Sequence, residues 1–168
     1  TSISAMPIKN SHNDDCVPAQ AVSDLFSIWE KKGELAGVKV AVVGKATSLT
    51  SSFVIGAVKC GMEVSVACPP RMGLKRENIE AAEQMGKIYF TDNPVEAVRD
   101  ADFVYTNAYR YHTEASDEEK EALAPYRVDA GLMSYAKRNA FFMHPLPACR
   151  GQEVTADVID GKRSMVYD

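Results

Sequence analysis

The run "VKVAVVG" constrains this chain more than any other feature. It is a continuous apolar stretch rich in β-branched residues, and it ends in glycine. A strand with one face in water alternates apolar and polar positions; a strand covered on both faces does not. The run therefore predicts a central parallel strand. The pattern then repeats along the chain. "LTSSFVIGAVKCGM" reads as a helix, "EVSVAC" as a strand, "KRENIEAAEQMG" as an amphipathic helix and "KIYF" as a strand. "NPVEAVRDA" opens a short helix at Pro94, "DFVYTN" is a fourth strand, "DAGLMSYAKRN" is helical and "AFFM" is a last strand. "TADVIDG" reads as a helical turn and "SMVYD" as an extended tail or edge strand. Strands and helices alternating at this spacing imply right-handed crossovers. The predicted fold is α/β: a doubly wound, Rossmann-like parallel sheet of about five strands with helices on both faces.

Ahead of the first strand, "VPAQAVSDLFSIWEKKGEL" predicts a long helix, with Pro18 in its first turn and Gly33 at its end. Val22, Leu25, Phe26 and Trp29 recur at three- and four-residue spacing and are expected to form its buried face. A length of 168 residues, 46% hydrophobic and 25% charged, suits one domain spanning 1–168. A net charge of −4 leaves no footprint for nucleic acid. No apolar run approaches the roughly 20 residues that cross a bilayer, so no membrane contact and a cytoplasmic setting are expected. Cys16, Cys60, Cys68 and Cys149 form no C-x-x-C pair; Cys60 and Cys68 read as core, Cys16 and Cys149 as loop residues near the chemistry.

In an open parallel sheet, ligands bind beyond the carboxyl ends of the strands. Three loops are expected to meet there: "GKATSLTSS", "NAYRYHTEAS" and "HPLPACRG". The first fits neither the Walker nor the G-x-G-x-x-G pattern, so neither a P-loop nucleotide nor a nicotinamide cofactor is expected. Its hydroxyls read as a helix cap by Ser48 or Thr50. The second loop carries Asn107, Tyr109, Arg110, Tyr111, His112 and Glu114. His112 and His144 lack companion ligands at metal-binding spacing, so no metal is expected. The third loop is the most specific. Pro145 and Pro147 stiffen its backbone, His144 offers a hydrogen bond to a polarised carbonyl, and Arg150 offers a partner for an anion. A rigid connector with a surface arginine is an equally good reading of the residues alone.

"HPLPACRGQEVTADVIDGKRSMVYD" resembles the signature of the aspartate/ornithine carbamoyltransferase family, and the similarity runs through most of the chain. "GKAT" and "RGQEVTADVIDGKRS" look most similar to its putrescine branch. The resemblance implies transfer of a carbamoyl group from carbamoyl phosphate to an amine or amino acid. It implies that His144 faces the carbamoyl carbonyl, that the backbone near Leu146 holds the carbamoyl nitrogen and the amine, and that Gln20 contacts the carbamoyl group. Thr47 and Asn107 fall at second-substrate positions, with Tyr109, Pro145 and Arg150 beside them. Such chemistry, as the resemblance implies, needs no cofactor and rests on proximity and on donors aimed at the developing oxyanion.

Departures from the pattern accompany the likeness. Val17 stands where H-P-x-Q has histidine, and losing one such donor typically costs about 10²–10³ in rate. Lys45 and Asn107 replace acids, which disfavours ornithine and a diamine as acceptor. The family's phosphate-binding S-T-R-T segment and its C-terminal E-A-E-N-R helix have no counterpart in the sequence. The expectation is a second-substrate domain, inactive until a carbamoyl-phosphate domain is supplied, monomeric or weakly dimeric where the family is trimeric. An exposed apolar patch is expected where that domain would pack. The alternative is a non-catalytic binding or regulatory relative; a dinucleotide-binding module lacks its fingerprint.

Overall fold

The computed structural model describes residues 17–74, 76–109 and 116–167, the side chains of residues 76–79 and 81 excepted. Five strands form one sheet: β1 (Lys39–Val43), β2 (Glu63–Ala67), β3 (Ile88–Thr91), β4 (Phe103–Tyr105) and β5 (Phe141–Met143). Their order is β3-β2-β1-β4-β5, and every pairing is parallel. β1 lies at the centre, and its residues from Val40 to Val43 are all buried. Val40 and Val42 face one core with Phe53 and Tyr105; Ala41 and Val43 face the other with Val104 and Phe142. That two-sided burial is why the run shows no alternation.

Helices α1 (Pro18–Lys32), α2 (Ser48–Lys59) and α3 (Arg76–Met85) cover the first face. The second face is covered by α4 (Pro94–Val98), α6 (Ala130–Met133) and α7 (Ala156–Ile159), and α5 (Asp117–Leu123) follows the loop after β4. α1 begins with Pro18 in its first turn and stops at Gly33, which takes φ +81° and returns its N–H to the Trp29 carbonyl.

Of the expected face of α1, only Leu25 is buried. Ala21, Asp24, Leu25 and Ile28 turn inward, while Val22, Phe26 and Trp29 are exposed, the last two stacked on each other. Both sets have helical spacing, so periodicity could not choose between them. An exposed apolar stripe of Val22, Phe26 and Trp29 thus runs along α1. The expected helix at "DAGLMSYAKRN" shrinks to the single turn of α6. "SMVYD" adds only a bridge, in which Ser164 pairs with Phe142 of β5. Cys60 is exposed at the end of α2 and is not a core residue, whereas Cys68 is half-buried and packs against the first core; Cys16 lies outside the described residues.

Candidate functional site

The chain leaves β1 toward β2 on one side and later places β4 on the other. The carboxyl ends of β1 and β4 therefore flank the point where the winding reverses, which opens a crevice in sheets of this kind. Two backbone segments bound it, Gly44–Thr47 and Thr106–Tyr109. Thr106 fastens them by donating its hydroxyl to the Val43 carbonyl at 2.7 Å. Above that tie, the Asn107 amide donates to Thr47 Oγ1 at 2.8 Å. Thr47 is also the cap of α2, accepting the Thr50 N–H, so the cap is one residue earlier than Ser48 and three earlier than Thr50. The structure thus brings Thr47 and Asn107, 60 residues apart, into one hydrogen-bonded unit.

Tyr109 crosses above Gly44. A Cβ on Gly44 would lie 2.6 Å from the Tyr109 ring, and φ there is +111°, so both sterics and backbone require glycine. The Tyr109 hydroxyl donates to the Tyr126 carbonyl at 3.0 Å. Burial, reinforced by the nearby Glu153 carboxylate, pushes this phenol well above its ordinary value. Tyr109 is a neutral wall of the crevice. The neighbouring Arg110, Tyr111, His112 and Glu114 lie outside the described residues.

β5 ends beside β4 and delivers the proline loop. Pro145 is buried under the loop and Leu146 projects into solvent, with a cis peptide between Leu146 and Pro147. The His144 side chain does not face the crevice, contrary to expectation. It is fully enclosed, and its Nε2 lies 3.4 Å from a carboxylate oxygen of the equally enclosed Glu153. That same oxygen accepts the Cys149 N–H. One buried carboxylate therefore joins the start and the end of the loop, and His144 supports the loop from within.

Two of the expected charges are already engaged. Arg150 is bound by Asp160 through two hydrogen bonds, at 2.9 and 2.6 Å, and reaches the Tyr167 hydroxyl at 3.1 Å. Its fork is taken by a carboxylate of its own chain rather than held open for a ligand. Lys45 pairs with Glu119 of α5 at 3.0 Å, which offsets its positive charge beside the crevice. The lysine in turn holds the Glu119 carboxyl below its usual value.

Gln20 sits half-buried in the first turn of α1, with its amide nitrogen 2.8 Å from Asp24 Oδ1. The Val17 N–H donates to Ser52 Oγ of α2 at 2.9 Å, tying the start of α1 to the helix that leaves the crevice. Asp24, Tyr105 and Glu153 were not anticipated. Asp24 carried a signal, as a lone acid within the set Ala21, Leu25 and Ile28; Glu153, in a polar loop, carried none. Among the described residues no group of three or more His, Cys, Asp or Glu could hold a metal ion, and no helix is long and apolar enough to cross a membrane. A groove of about 380 Å³ lined by Lys39, Glu63, Lys87 and Arg99 opens at the opposite, amino end of the strands.

Comparison with known proteins agrees with this fold. Residues 36–168 match the aspartate/ornithine carbamoyltransferase Asp/Orn-binding domain. The ornithine carbamoyltransferase of Bacillus subtilis is 42% identical over 169 residues, covering 96% of this chain and 53% of the relative. That of Caldicellulosiruptor saccharolyticus is 39% identical over 172 residues, covering 98% and 56%. The solved ornithine carbamoyltransferase of Pyrococcus furiosus superposes with a TM-score of 0.85 at 40% identity, over 92% of this chain and 51% of that one. The Gloeobacter violaceus enzyme gives 0.89 at 30% identity, over 97% and 56%. The chain spans about half the length of the curated relatives it matches. These relatives are ornithine carbamoyltransferases and not putrescine carbamoyltransferases, which corrects the branch expected from "GKAT".

Proposed function

Because the chain belongs to the aspartate/ornithine carbamoyltransferase family, we propose that it is the acceptor-binding half of a carbamoyltransferase. It holds an amino acid whose amine receives a carbamoyl group. The observation that carries this reading is the Asn107–Thr47 hydrogen bond at the carboxyl ends of β4 and β1, with the proline loop on the adjoining strand. The acceptor lies against Thr47, Asn107 and Tyr109, and its amine approaches the backbone at Leu146. The names of the relatives make ornithine the first acceptor to try, and the Lys45–Glu119 pair removes the main electrostatic objection to it.

Carbamoyl phosphate is supplied by a companion domain. The exposed Val22, Phe26 and Trp29 stripe supports this, since an apolar face of that kind is commonly covered in a working assembly. Once both substrates are held together, the gain is chiefly proximity and orientation. Calorimetric titration of the chain with ornithine, aspartate and putrescine tests the reading. Saturable binding of an amino acid, abolished in Asn107→Ala, is the expected result. A second reading, a non-catalytic regulatory relative, is favoured by Val17, which removes a donor from the site. A panel without binding, together with tight binding to a full-length relative, would select it.

A further inference from the structure

Tyr109 also lines a cavity of about 340 Å³, which the α5 segment walls on one side and the turn after the proline loop on the other. That volume is in the range of pockets that take small organic molecules. Its apolar lining comes from Tyr109, Leu123 and Ala124. Its polar lining comes from Lys120, Arg127, Gly151 and Gln152, and no acid is among the described residues that line it.

The two walls are fastened to each other by backbone. Val128 and Val154 form a parallel bridge, in which the Val128 N–H donates to the Glu153 carbonyl at 2.9 Å and the Thr155 N–H to the Val128 carbonyl at 3.0 Å. The Gly151 N–H closes its own turn on the Val154 carbonyl at 2.7 Å. Tyr109 is held by its hydrogen bond to the Tyr126 carbonyl. The cavity is therefore shaped before any ligand arrives, which lowers the cost of ordering on binding.

The two cations differ in their freedom. Lys120 pairs with Asp117 at 2.9 Å on the exposed side of α5, where solvent weakens the pair. The exposed Arg127 has no side-chain partner among the described residues, unlike Arg150, whose fork Asp160 fills. Arg127 lies close enough to Tyr109 for its charge to act on the phenol, against the larger effects of burial and Glu153. Gly151 takes φ +85°, and a Cβ there would meet nothing within 4 Å, so no side chain narrows that wall. A guanidinium with its fork open matches a carboxylate through two parallel hydrogen bonds. An aromatic ring and a leucine beside it suit an apolar body.

From this geometry we propose that the cavity is a binding site for a small carboxylate with an apolar body, its carboxylate on Arg127 and its body against Tyr109 and Leu123. It lies beside the acceptor crevice, sharing Tyr109 with it, and the proposal does not depend on the carbamoyl-transfer reading. An inorganic anion would leave the apolar wall unused, and a neutral ring would leave Arg127 unpaired.

The test follows backbone amide signals of the 168-residue chain while benzoate is added, with benzamide, acetate and inorganic phosphate run alongside. Benzoate is expected to give saturable shifts at Arg127, Gly151 and Gln152 and none at Thr47 and Asn107. Benzamide keeps the ring without the charge, and acetate and phosphate keep charge without the ring. Each is expected to bind about tenfold or more weakly than benzoate. Arg127→Gln, at an exposed position, should weaken benzoate about tenfold and leave benzamide unchanged. Ala124→Trp, also at an exposed position, fills the cavity and should abolish benzoate binding with Arg127 intact. No saturable benzoate response, any of the other three probes binding as tightly, or full affinity for benzoate in either variant overturns the site. Shifts at Thr47 and Asn107 in place of Arg127 and Gly151 overturn it too, because they put the carboxylate in the acceptor crevice. Benzoate carries no amine, so its failure leaves the acceptor reading standing, and a failure of ornithine to bind leaves this site standing.

Discussion

Asp24 and Asp102 are the same residue type with almost the same burial, 7% and 6% exposed, at opposite ends of the sheet. Asp102, at the amino ends, gathers the Lys32 and Lys137 ammonium groups at 2.7 and 2.8 Å and the Lys39 N–H at 3.1 Å. Burial alone would raise its carboxyl, but the hydrogen bonds from the two lysines and the backbone outweigh that and hold it below 3.8. Asp24, at the carboxyl ends, has an amide and a phenol; desolvation outweighs their hydrogen bonds and the nearby His144, and its carboxyl is raised above 3.8. The amino end of the sheet satisfies its buried charge. The carboxyl end keeps a buried charge short of counter-charge, together with the enclosed His144 and Glu153. Polar groups held in that condition are costly, and they concentrate where a protein binds or reacts.

The contrast is broken most directly by mutation at the amino end. Asp102→Ala leaves Lys32 and Lys137 facing each other without their common acid. Unfolding in urea should show a loss of about 2–3 kcal/mol, below the full cost of breaking a buried pair because both lysines reach solvent. Acceptor binding should be unchanged. A loss under about 1 kcal/mol would mean that Asp102 is not the anchor described.

At the carboxyl end, shape should matter more than charge. Gly44→Ala sets a methyl into the Tyr109 ring and strains a positive-φ residue. It should cost about 1–3 kcal/mol and weaken acceptor binding together with stability. Asp24→Asn, by contrast, should stay within about 1 kcal/mol of the native chain at neutral pH, since a buried charge is exchanged for an isosteric amide that can keep both hydrogen bonds.

The two acids should also respond oppositely to pH. Asp24 has a folded value above its unfolded one, so its contribution is complete below 3.8 and is lost as pH rises through the raised value. Asp102 has a folded value below its unfolded one, so its contribution is present above 3.8 and disappears as pH falls through the lowered value. Urea midpoints of native, Asp24→Asn and Asp102→Asn chains between pH 3 and 7 would reveal this; parallel curves for the two variants would contradict it. The smallest effect is expected from Trp29→Ser. Trp29 is half exposed, so stability should move by less than about 0.5 kcal/mol, while binding of a companion domain weakens measurably.

Much of the fold was legible because its signals are local. The "VKVAVVG" run, Pro18, Gly33 and Pro94 each act within a few residues of themselves. The inward face of α1 was not legible, because Val22, Phe26 and Trp29 are as periodic as Ala21, Leu25 and Ile28, and only packing against α2 and the sheet separates them. In the candidate site, the three loops could be read from the ends of predicted strands, whereas Thr47 and Asn107 were singled out only by the family resemblance. The engaged state of the charges could not be read. Lys45 meets an acid 74 residues away, Asp24 meets Tyr105 across 81, and His144 turns inward to a glutamate within its own loop. Arg150 looked free for a ligand for the same reason, since nothing near it in sequence announces Asp160 as its partner.

The most direct test of the account is to follow backbone amide signals of the chain while ornithine is added, with aspartate and putrescine run alongside. Saturable shifts at Thr47, Asn107, Tyr109 and Leu146, with Lys39, Glu63 and Arg99 unmoved, are the predicted result. Shifts confined to the groove at the amino ends, or no saturable response to any amino acid, would contradict an acceptor site at the carboxyl ends of β1, β4 and β5.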